Sequence, residues 1–296
     1  MDELSYRPNS IARSLRSKKS NIVGLLVPIL PEDTSNFFFM SVAQGIQSVL
    51  MENGYHLILG NSKEDLQTEI EQIKVFDSEQ IDGLIMAPTF EDHSYLNDCL
   101  TGNYPVVFID RKPKDYIGDC ILADGAKGTD ESISLLIQKG HRHIGFITGS
   151  LGITSTDRRL EGYRNALARH GLEIDESLIK VAESSRSSFE TGYNLARDLV
   201  ATGRITALFV ANNVMTMGAL HYLQESGICI PEDIALIGFD DYEWARITRP
   251  ALSMVKQPSY ELGEEAAKQL LKRIRDPEGE PVEIYLPTSL TIRASC

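Results

Sequence analysis

The sequence is poor in the residues and runs that mark several classes of protein. Its four cysteines, Cys99, Cys120, Cys229 and Cys296, have no short spacing between them, so they match neither a zinc site nor a disulfide framework. No apolar run reaches the roughly 20 residues that a membrane-spanning helix needs. The first residues are basic but have neither the apolar segment nor the cleavage site of a secretory signal. We therefore predict a cytoplasmic protein with reduced thiols.

Motifs of catalysis are also missing. The chain has no G-x-S-x-G nucleophile motif, no P-loop and no dinucleotide-binding G-x-G-x-x-G. His141 and His143 form an H-x-H pair, yet no cysteine or carboxylate cluster accompanies them to complete a metal site. Asp240 and Asp241 are adjacent, and neighbouring side chains usually point apart, which argues against paired acid–base catalysis. The sequence therefore predicts no enzyme, no cofactor and no metal centre.

Charge is distributed unevenly along the chain. The formal net charge is −13, from 29 lysines and arginines against 42 aspartates and glutamates. Residues 1–21 nevertheless contain five of the basic residues and only two of the acidic ones, so this arm carries +3 and the remainder −16. An acidic body excludes broad wrapping of nucleic acid, and it confines any DNA contact to the arm.

From residue 22 onward, short β-rich runs alternate with amphipathic stretches, a rhythm typical of α/β folds with parallel sheets. The rhythm restarts after Asp124, which divides the chain into two units of similar size, and the short tail is expected to complete both sheets. Strands are predicted at 22–27, 55–59, 81–87, 105–109, 143–148, 207–211, 234–238, 252–255, 282–286 and 289–293. Helices are predicted at 41–52, 66–76, 133–137, 159–170, 189–200, 215–222 and 262–274.

Several blocks carry a resemblance over almost the whole chain. The first is LSYRPNSIARSLRSKKSNIVGLLVP, and the later ones are VVFID, KGHRHIGFITG, RRLEGYRNAL, FVANNVMTMGALHYLQESGICIPEDIALIGFDD and VKQPSYELG. In this order and at this spacing they resemble the lac repressor family of bacterial transcription regulators. The resemblance implies two doubly wound α/β subdomains, joined by three crossing strands, with an effector in the cleft. It places the subdomains at residues 22–122 plus 257–286 and at 123–256 plus 287–296.

The arm resembles the family's hinge, which follows a helix-turn-helix headpiece. Because LSYRPN looks like the end of that headpiece, we expect the headpiece itself to be absent from this sequence. In the family, two hinge helices of a homodimer lie in the minor groove of operator DNA, and a leucine from each wedges between base steps. The residues implied for this role are Asn9, Ala12, Arg13, Leu15 and Arg16. The alternative is a solubilising basic linker in which Leu15 is incidental.

The resemblance also implies a set of effector-binding residues, most of them at predicted strand ends, where open α/β sheets place their ligands. Their chemistry suits a sugar, because carboxylates accept hydroxyl protons, Arg and Asn donate, and aromatic rings cover the apolar C–H face. The alternatives are a helix cap for a strand-end aspartate, a surface ion pair for the arginine and a core position for the aromatics. The set is Phe38, Phe39, Asp110, Asp124, Arg159, Asn212, Asp240 and Gln257.

Three positions depart from the family pattern. Phe37 replaces a proline before the aromatic pair, and Asn213 replaces an aspartate after Asn212. Many relatives carry an aromatic residue near Ser187, whereas residues 184–188 here read SSRSS. The last departure makes the pocket more polar and extends the expected effectors from sugars to sugar phosphates.

The function predicted from these features is a ligand-responsive transcription regulator, specifically a repressor, which acts as a homodimer. The sequence favours this function over two alternatives. A solute-binding protein of sugar transport would have a signal peptide and no basic arm. An α/β enzyme would have a nucleophile or a metal set in the cleft, and the sequence offers neither.

Overall fold

The computed structural model describes residues 19–30, 36–89, 93–102, 104–183 and 188–296. The predicted DNA-contacting residues lie outside the described residues, and so does Ser187, at which the sequence departs from the pattern that the resemblance implies. The roles assigned to both regions therefore stay predictions. The DNA-contacting residues are Asn9, Ala12, Arg13, Leu15 and Arg16.

The first lobe is built around a sheet of six parallel strands. These are β1 (Ile22–Val27), β2 (His56–Asn61), β3 (Gly83–Met86), β4 (Val106–Ile109), β5 (Asp119–Ala123) and β11 (Glu283–Leu286). Their spatial order is β11-β5-β4-β3-β1-β2. The helices of this lobe are α1 (Asn36–Glu52), α2 (Leu66–Ser78), α3 (Leu96–Cys99) and α9 (Ser259–Arg275).

The second lobe repeats this plan. Its strands are β6 (Ile144–Thr148), β7 (Ile179–Val181), β8 (Ala207–Val210), β9 (Ala235–Phe239), β10 (Ser253–Lys256) and β12 (Ser289–Thr291). They follow the order β12-β10-β9-β8-β6-β7, and β12 runs antiparallel to β10. The helices are α4 (Gly125–Gln138), α5 (Thr154–Arg169), α6 (Phe189–Val200), α7 (Asn213–Glu225) and α8 (Trp244–Ile247), with a 3₁₀ turn at Glu176–Leu178.

The fold predicted from the sequence, two doubly wound α/β units, is confirmed. Every residue of the central strands β3, β6, β8 and β9 is buried, because helices cover both faces of each sheet. The chain crosses between the lobes three times, between β5 and α4, between β10 and α9, and between β11 and β12. Within the described ranges, no helix is long and apolar enough to cross a membrane.

Helices α1 and α9 pack together on one face of the first sheet, and glycine decides how closely they approach. A methyl group on Gly45 of α1 would collide with the backbone of Tyr260, and one on Gly263 of α9 would collide with the backbone of Val42. The two backbones can therefore approach this closely only because both positions lack a side chain. Ser259 at the start of α9 also donates to Ser41 of α1 at 2.8 Å. The two helices thus form one tightly packed pair.

Two strands escaped prediction. β5 begins with Asp119 and Cys120, and aspartate disfavours strands. The carboxylate of Asp119 is buried, and it accepts hydrogen bonds from Arg273 at 2.7 and 2.8 Å and from Gln269 at 2.8 Å. These partners lie on α9, so local sequence gives no sign of them. β7 has only three residues at the sheet edge, too few for a recognisable alternation.

Candidate functional site

A cavity of about 100 Å³ lies between the two lobes, where the carboxyl ends of strands from both sheets face each other. Seven of the eight effector residues predicted from the sequence line it, namely Phe38, Phe39, Asp110, Arg159, Asn212, Asp240 and Gln257. Strand ends of this kind are where ligands bind in open α/β folds. The structure therefore brings these seven residues together, and their role in binding stays a prediction.

Aromatic rings close one side of the cavity. Phe38 and Phe39 lie in the first turn of α1, with ring centroids 5.2 Å apart in an edge-to-face arrangement. They are only 6% and 5% exposed, and they also pack into the hydrophobic core of the first lobe. The core role and the cavity role are therefore combined in the same two rings.

Asp110 follows β4 directly and has a left-handed backbone conformation, with φ of 62°. Aspartate tolerates this conformation better than most residues. Burial raises the pKa of its carboxyl, whereas Arg111 and Arg159 act in the opposite direction. The Arg111 Nε lies 3.5 Å from an Asp110 carboxylate oxygen. Asp110 therefore offers a desolvated acceptor whose charge depends on these two cations.

Arg159 lies on the second turn of α5, in the second lobe. One of its terminal nitrogens donates to the carbonyl oxygen of Ala211 at 2.6 Å, and the guanidinium carbon sits 3.9 Å from the centre of the Phe239 ring. These contacts fix the plane of the guanidinium. Its Nε is buried without a hydrogen-bond partner among the described residues. The predicted surface-pair alternative is wrong for this side chain, because it is only 8% exposed.

Asn212 and Asp240 follow the carboxyl ends of strands β8 and β9, on the same side of the cavity. The Oδ1 atom of Asn212 accepts from the backbone of Met215 at 3.1 Å and so caps α7. Asp240 has φ of 71°, and one of its carboxylate oxygens accepts from Nε2 of Gln257 at 2.6 Å. Gln257 lies on the crossing between β10 and α9. This crossing therefore contacts a strand end of the second lobe directly.

Asp124 is the one predicted residue that does not line the cavity. Its carboxylate accepts from the backbone nitrogen of Lys127 at 3.2 Å and caps α4. The same oxygen lies 3.5 Å from Arg158. The structure thus gives Asp124 the capping role that the sequence left open for strand-end aspartates.

Two charged residues in the cavity were missed from the sequence. Glu64 follows the carboxyl end of β2, and Arg111 follows Asp110. Glu64 Oε1 accepts from Arg111 at 2.7 Å, and the Glu64 side chain is only 3% exposed. The strand-end rule that selected Asp110 would also have selected Glu64, had it been applied to β2.

We refer below to the first wall, formed by Phe38, Phe39, Glu64, Asp110 and Arg111, and to the second wall, formed by Arg159, Asn212 and Asp240. Gly149 and Ser150, which follow β6, also line the cavity. The two walls belong to different lobes. A molecule bound here would therefore contact both lobes.

The histidine pair noted in the sequence lies outside the cavity. Nδ1 of His141 is 2.9 Å from the hydroxyl oxygen of Thr206, which accounts for one of its two ring nitrogens. The described residues include no group of three or more histidine, cysteine or carboxylate side chains that could hold a metal ion.

Residues 133–296 match the family model described as periplasmic binding protein-like domain. The chain is 32% identical to the ribose operon repressor of Haemophilus influenzae over 295 residues, which is 99% of this chain and 86% of that protein. The chain belongs to the lac repressor family of transcription regulators. Membership in the lac repressor family confirms the resemblance inferred from the sequence blocks.

Solved structures support the same assignment of the lac repressor family. The transcription regulator CcpA of Lactococcus lactis is 27% identical and superposes with a TM-score of 0.83, covering 93% of this chain and 98% of that one. A LacI family transcriptional regulator from Enterococcus faecium, solved with bound ribose, is 28% identical with a TM-score of 0.78 over the same shares of the two chains.

These relatives decide between the functions considered for the sequence. They are transcription regulators, and neither transport proteins nor enzymes. The prediction of a ligand-responsive transcription repressor is confirmed at the level of the lac repressor family, and a solute-binding protein of transport is not supported.

Proposed function

We propose that this protein is a repressor whose operator affinity is set by a small sugar bound between its lobes. One observation carries the proposal. Seven side chains predicted from the sequence to bind an effector converge on one cavity between the lobes, and both lobes contribute them. A cavity of about 100 Å³ suits a monosaccharide better than a longer saccharide.

The chemistry of the two walls supports a sugar. Asp110 and Asp240 supply acceptors for hydroxyl groups, while Arg159 and Asn212 supply planar donors. The Phe38 and Phe39 rings offer an apolar surface for the C–H face of a sugar ring. D-ribose is the first compound to test, because one relative is named a ribose operon repressor and one solved relative contains ribose.

A regulatory effect requires the effector to bind two conformations of the protein with different affinity. Contacts across the cleft supply such a difference, since they exist only while the lobes are close. Thr154 of α5 accepts from the backbone nitrogen of Lys112 at 3.1 Å and donates to its carbonyl oxygen at 3.3 Å. The guanidinium of Arg158 lies 5.1 Å from the centre of the Tyr285 ring in β11. A bound sugar would favour this closed arrangement.

The proposed partners follow from the family. Two copies form a homodimer in the cytoplasm, closure shifts their first lobes, and operator DNA responds through Asn9, Ala12, Arg13, Leu15 and Arg16. An apolar wedge flanked by arginines is suited to a kinked minor groove. Whether the sugar releases or strengthens DNA binding depends on which dimer arrangement the closed lobes favour.

Thermal unfolding with added monosaccharides tests the sugar site. A ligand at a hundred times its dissociation constant stabilises the folded state by about 2.7 kcal/mol, which raises the unfolding temperature by several degrees. Asp240→Asn should abolish this shift, because the amide lacks the negative charge and one acceptor. Asparagine tolerates the left-handed conformation of residue 240, so the fold is preserved.

Asp198→Asn is the matched control, because Asp198 is an exposed helical carboxylate that pairs with Arg197 away from the cavity. It should keep the full shift. An Asp240→Asn protein that responds to sugar as the wild type does would refute the assigned site. A wild-type protein that responds to no monosaccharide would refute the sugar effector.

A further inference from the structure

More negatively than positively charged side chains line the cavity. Among the described residues they are three carboxylates, Glu64, Asp110 and Asp240, and two guanidiniums, Arg111 and Arg159. With all five ionised, the lining carries a net charge of −1. A phosphate ester carries negative charge at neutral pH and would have to enter against this excess.

Arg111 is the cation that an anionic ligand would need, yet its neighbours already engage it. One of its terminal nitrogens donates to Glu64 at 2.7 Å and to the carbonyl oxygen of Pro88 at 3.1 Å. Its Nε makes no hydrogen bond among the described residues but lies 3.5 Å from the Asp110 carboxylate, and the buried Glu69 carboxyl also acts on the charge of Arg111. An anion beside Arg111 would therefore meet the carboxylates that surround this guanidinium.

The local backbone holds Glu64 in this position. Lys63 and Glu64 are consecutive residues in the left-handed region, with φ of 55° and 54°. Such strain persists only where the surrounding structure determines it. Oδ1 of Asn61 accepts from the backbone nitrogens of Lys63 and Ile29, both at 2.9 Å, and thereby fixes the turn. The turn directs a glutamate, not a glycine, into a buried ion pair at the cavity.

Arg159 is not a fully free anion-binding group either, although its Nε has no hydrogen-bond partner among the described residues. Its guanidinium is bonded to the Ala211 carbonyl and stacked on Phe239, and its charge interacts with Asp110. It can still donate to a neutral hydroxyl group, which requires no net charge compensation. The lining thus suits an uncharged polar ligand.

We infer that Glu64 is a specificity residue that makes the cavity select uncharged sugars over their phosphate esters. The inference rests on the sugar effector proposed above. It narrows the class of effectors, because it excludes the sugar phosphates that the polar segment 184–188 had suggested. Glu64 acts by occupying Arg111 and by repelling a second negative charge in a desolvated site.

Calorimetric titration with two matched pairs of probes tests this inference. The pairs are D-ribose with D-ribose 5-phosphate, and D-glucose with D-glucose 6-phosphate. The wild-type protein should bind the neutral member of a pair at least about tenfold more tightly than its phosphate ester, since one unfavourable charge contact in a partly desolvated site is sufficient for this ratio. Glu64→Gln should lower that ratio about tenfold or invert it, because Arg111 then lacks its closest counter-charge.

Two further variants separate charge from structure. Glu64→Asp keeps the negative charge and should retain the preference for the neutral sugar, which a merely structural role would not predict. Glu161→Gln removes a carboxylate that bonds to Arg158 at 2.8 Å on the exposed face of α5, and it should leave the ratio unchanged. Thermal unfolding of each variant without ligand shows whether it folds.

Each outcome has a defined meaning. A wild-type protein that binds a phosphate ester as tightly as the parent sugar would overturn the role of Glu64 while leaving the sugar site intact. An unchanged ratio in folded Glu64→Gln would overturn it as well. If the wild type binds none of the four compounds and responds to no other monosaccharide in thermal unfolding, the proposed sugar effector fails, and the inference fails with it.

Discussion

The two walls of the cavity differ in how their charged and polar side chains are bonded within the protein. In the first wall, Arg111 donates to Glu64 and to a backbone carbonyl, and its Nε, which makes no hydrogen bond among the described residues, lies 3.5 Å from the Asp110 carboxylate. In the second wall, Arg159 Nε has no partner within the described part of the chain, and Asn212 uses only its Oδ1 in capping α7. In the site proposed above, the first wall would therefore select the charge of the ligand, and the second wall would supply most of the hydrogen-bond donors. The proposal thus assigns selection and affinity to opposite lobes.

Arg159→Met should produce the largest effect, because it removes the central donor of the second wall. The methionine keeps the apolar packing on Phe239, so the loss falls on hydrogen bonding. A hydrogen bond to a charged group contributes up to about 3 kcal/mol, and we expect sugar affinity to fall roughly a hundredfold. Calorimetric titration with D-ribose measures the change. Sugar binding at wild-type strength would remove Arg159 from the second wall.

Glu69→Gln should change how stability depends on pH, because Glu69 lies behind the first wall. Burial raises the pKa of its carboxyl to about 7, although hydrogen bonds from Tyr95 and from the Thr89 backbone act to lower this pKa. Between its unfolded pKa and about 7, the folded protein holds a proton that the unfolded chain has released, so stability falls as pH rises. This contribution approaches about 3 kcal/mol and disappears in the variant.

Urea unfolding at about pH 5 and at about pH 8 measures this slope. Glu71→Gln is the control, because Glu71 is an exposed residue of the same helix. The Glu69→Gln protein should lose less stability than the wild type over this range. Equal slopes in both proteins would show that Glu69 is ionised in the folded state at the lower pH.

Thr154→Val should have the smallest effect, because it removes one contact between the lobes without changing a residue of either wall. The valine has nearly the same shape, but it can neither accept from nor donate to the Lys112 backbone. Losing these exposed bonds should weaken sugar binding by about 1 kcal/mol, or roughly fivefold. Thr202→Val, which removes a hydrogen bond at the end of α6, should leave binding unchanged.

Much of the fold follows from the sequence because its elements are locally encoded. The strand β1 was predicted with its bounds at Ile22–Val27, since a short apolar run between polar segments is a local pattern. Helix α1 begins at Asn36, five residues before the predicted start at Ser41. After Asn36, three consecutive Phe residues complete its first turn, and this apolar run obscures the helical period.

The site was predictable where position in a strand determines it. Asp110, Asn212 and Asp240 follow strands β4, β8 and β9, so the strand-end rule and the resemblance agreed. Arg159 depended on the resemblance alone, because it lies within a helix. The ion pair between Glu64 and Arg111 joins residues 47 positions apart through a left-handed turn. No local pattern in the sequence specifies that pairing.

The close contact between α1 and α9 at their glycines couples the movements of the two helices. Helix α1 carries Phe38 and Phe39. Helix α9 begins two residues after Gln257, which donates a hydrogen bond to Asp240. The two backbones are in close contact at Gly45 and Gly263. A displacement of one helix along its axis therefore requires a displacement of the other. A structural change anywhere along α9, even far from the cavity, would therefore displace the rings of Phe38 and Phe39.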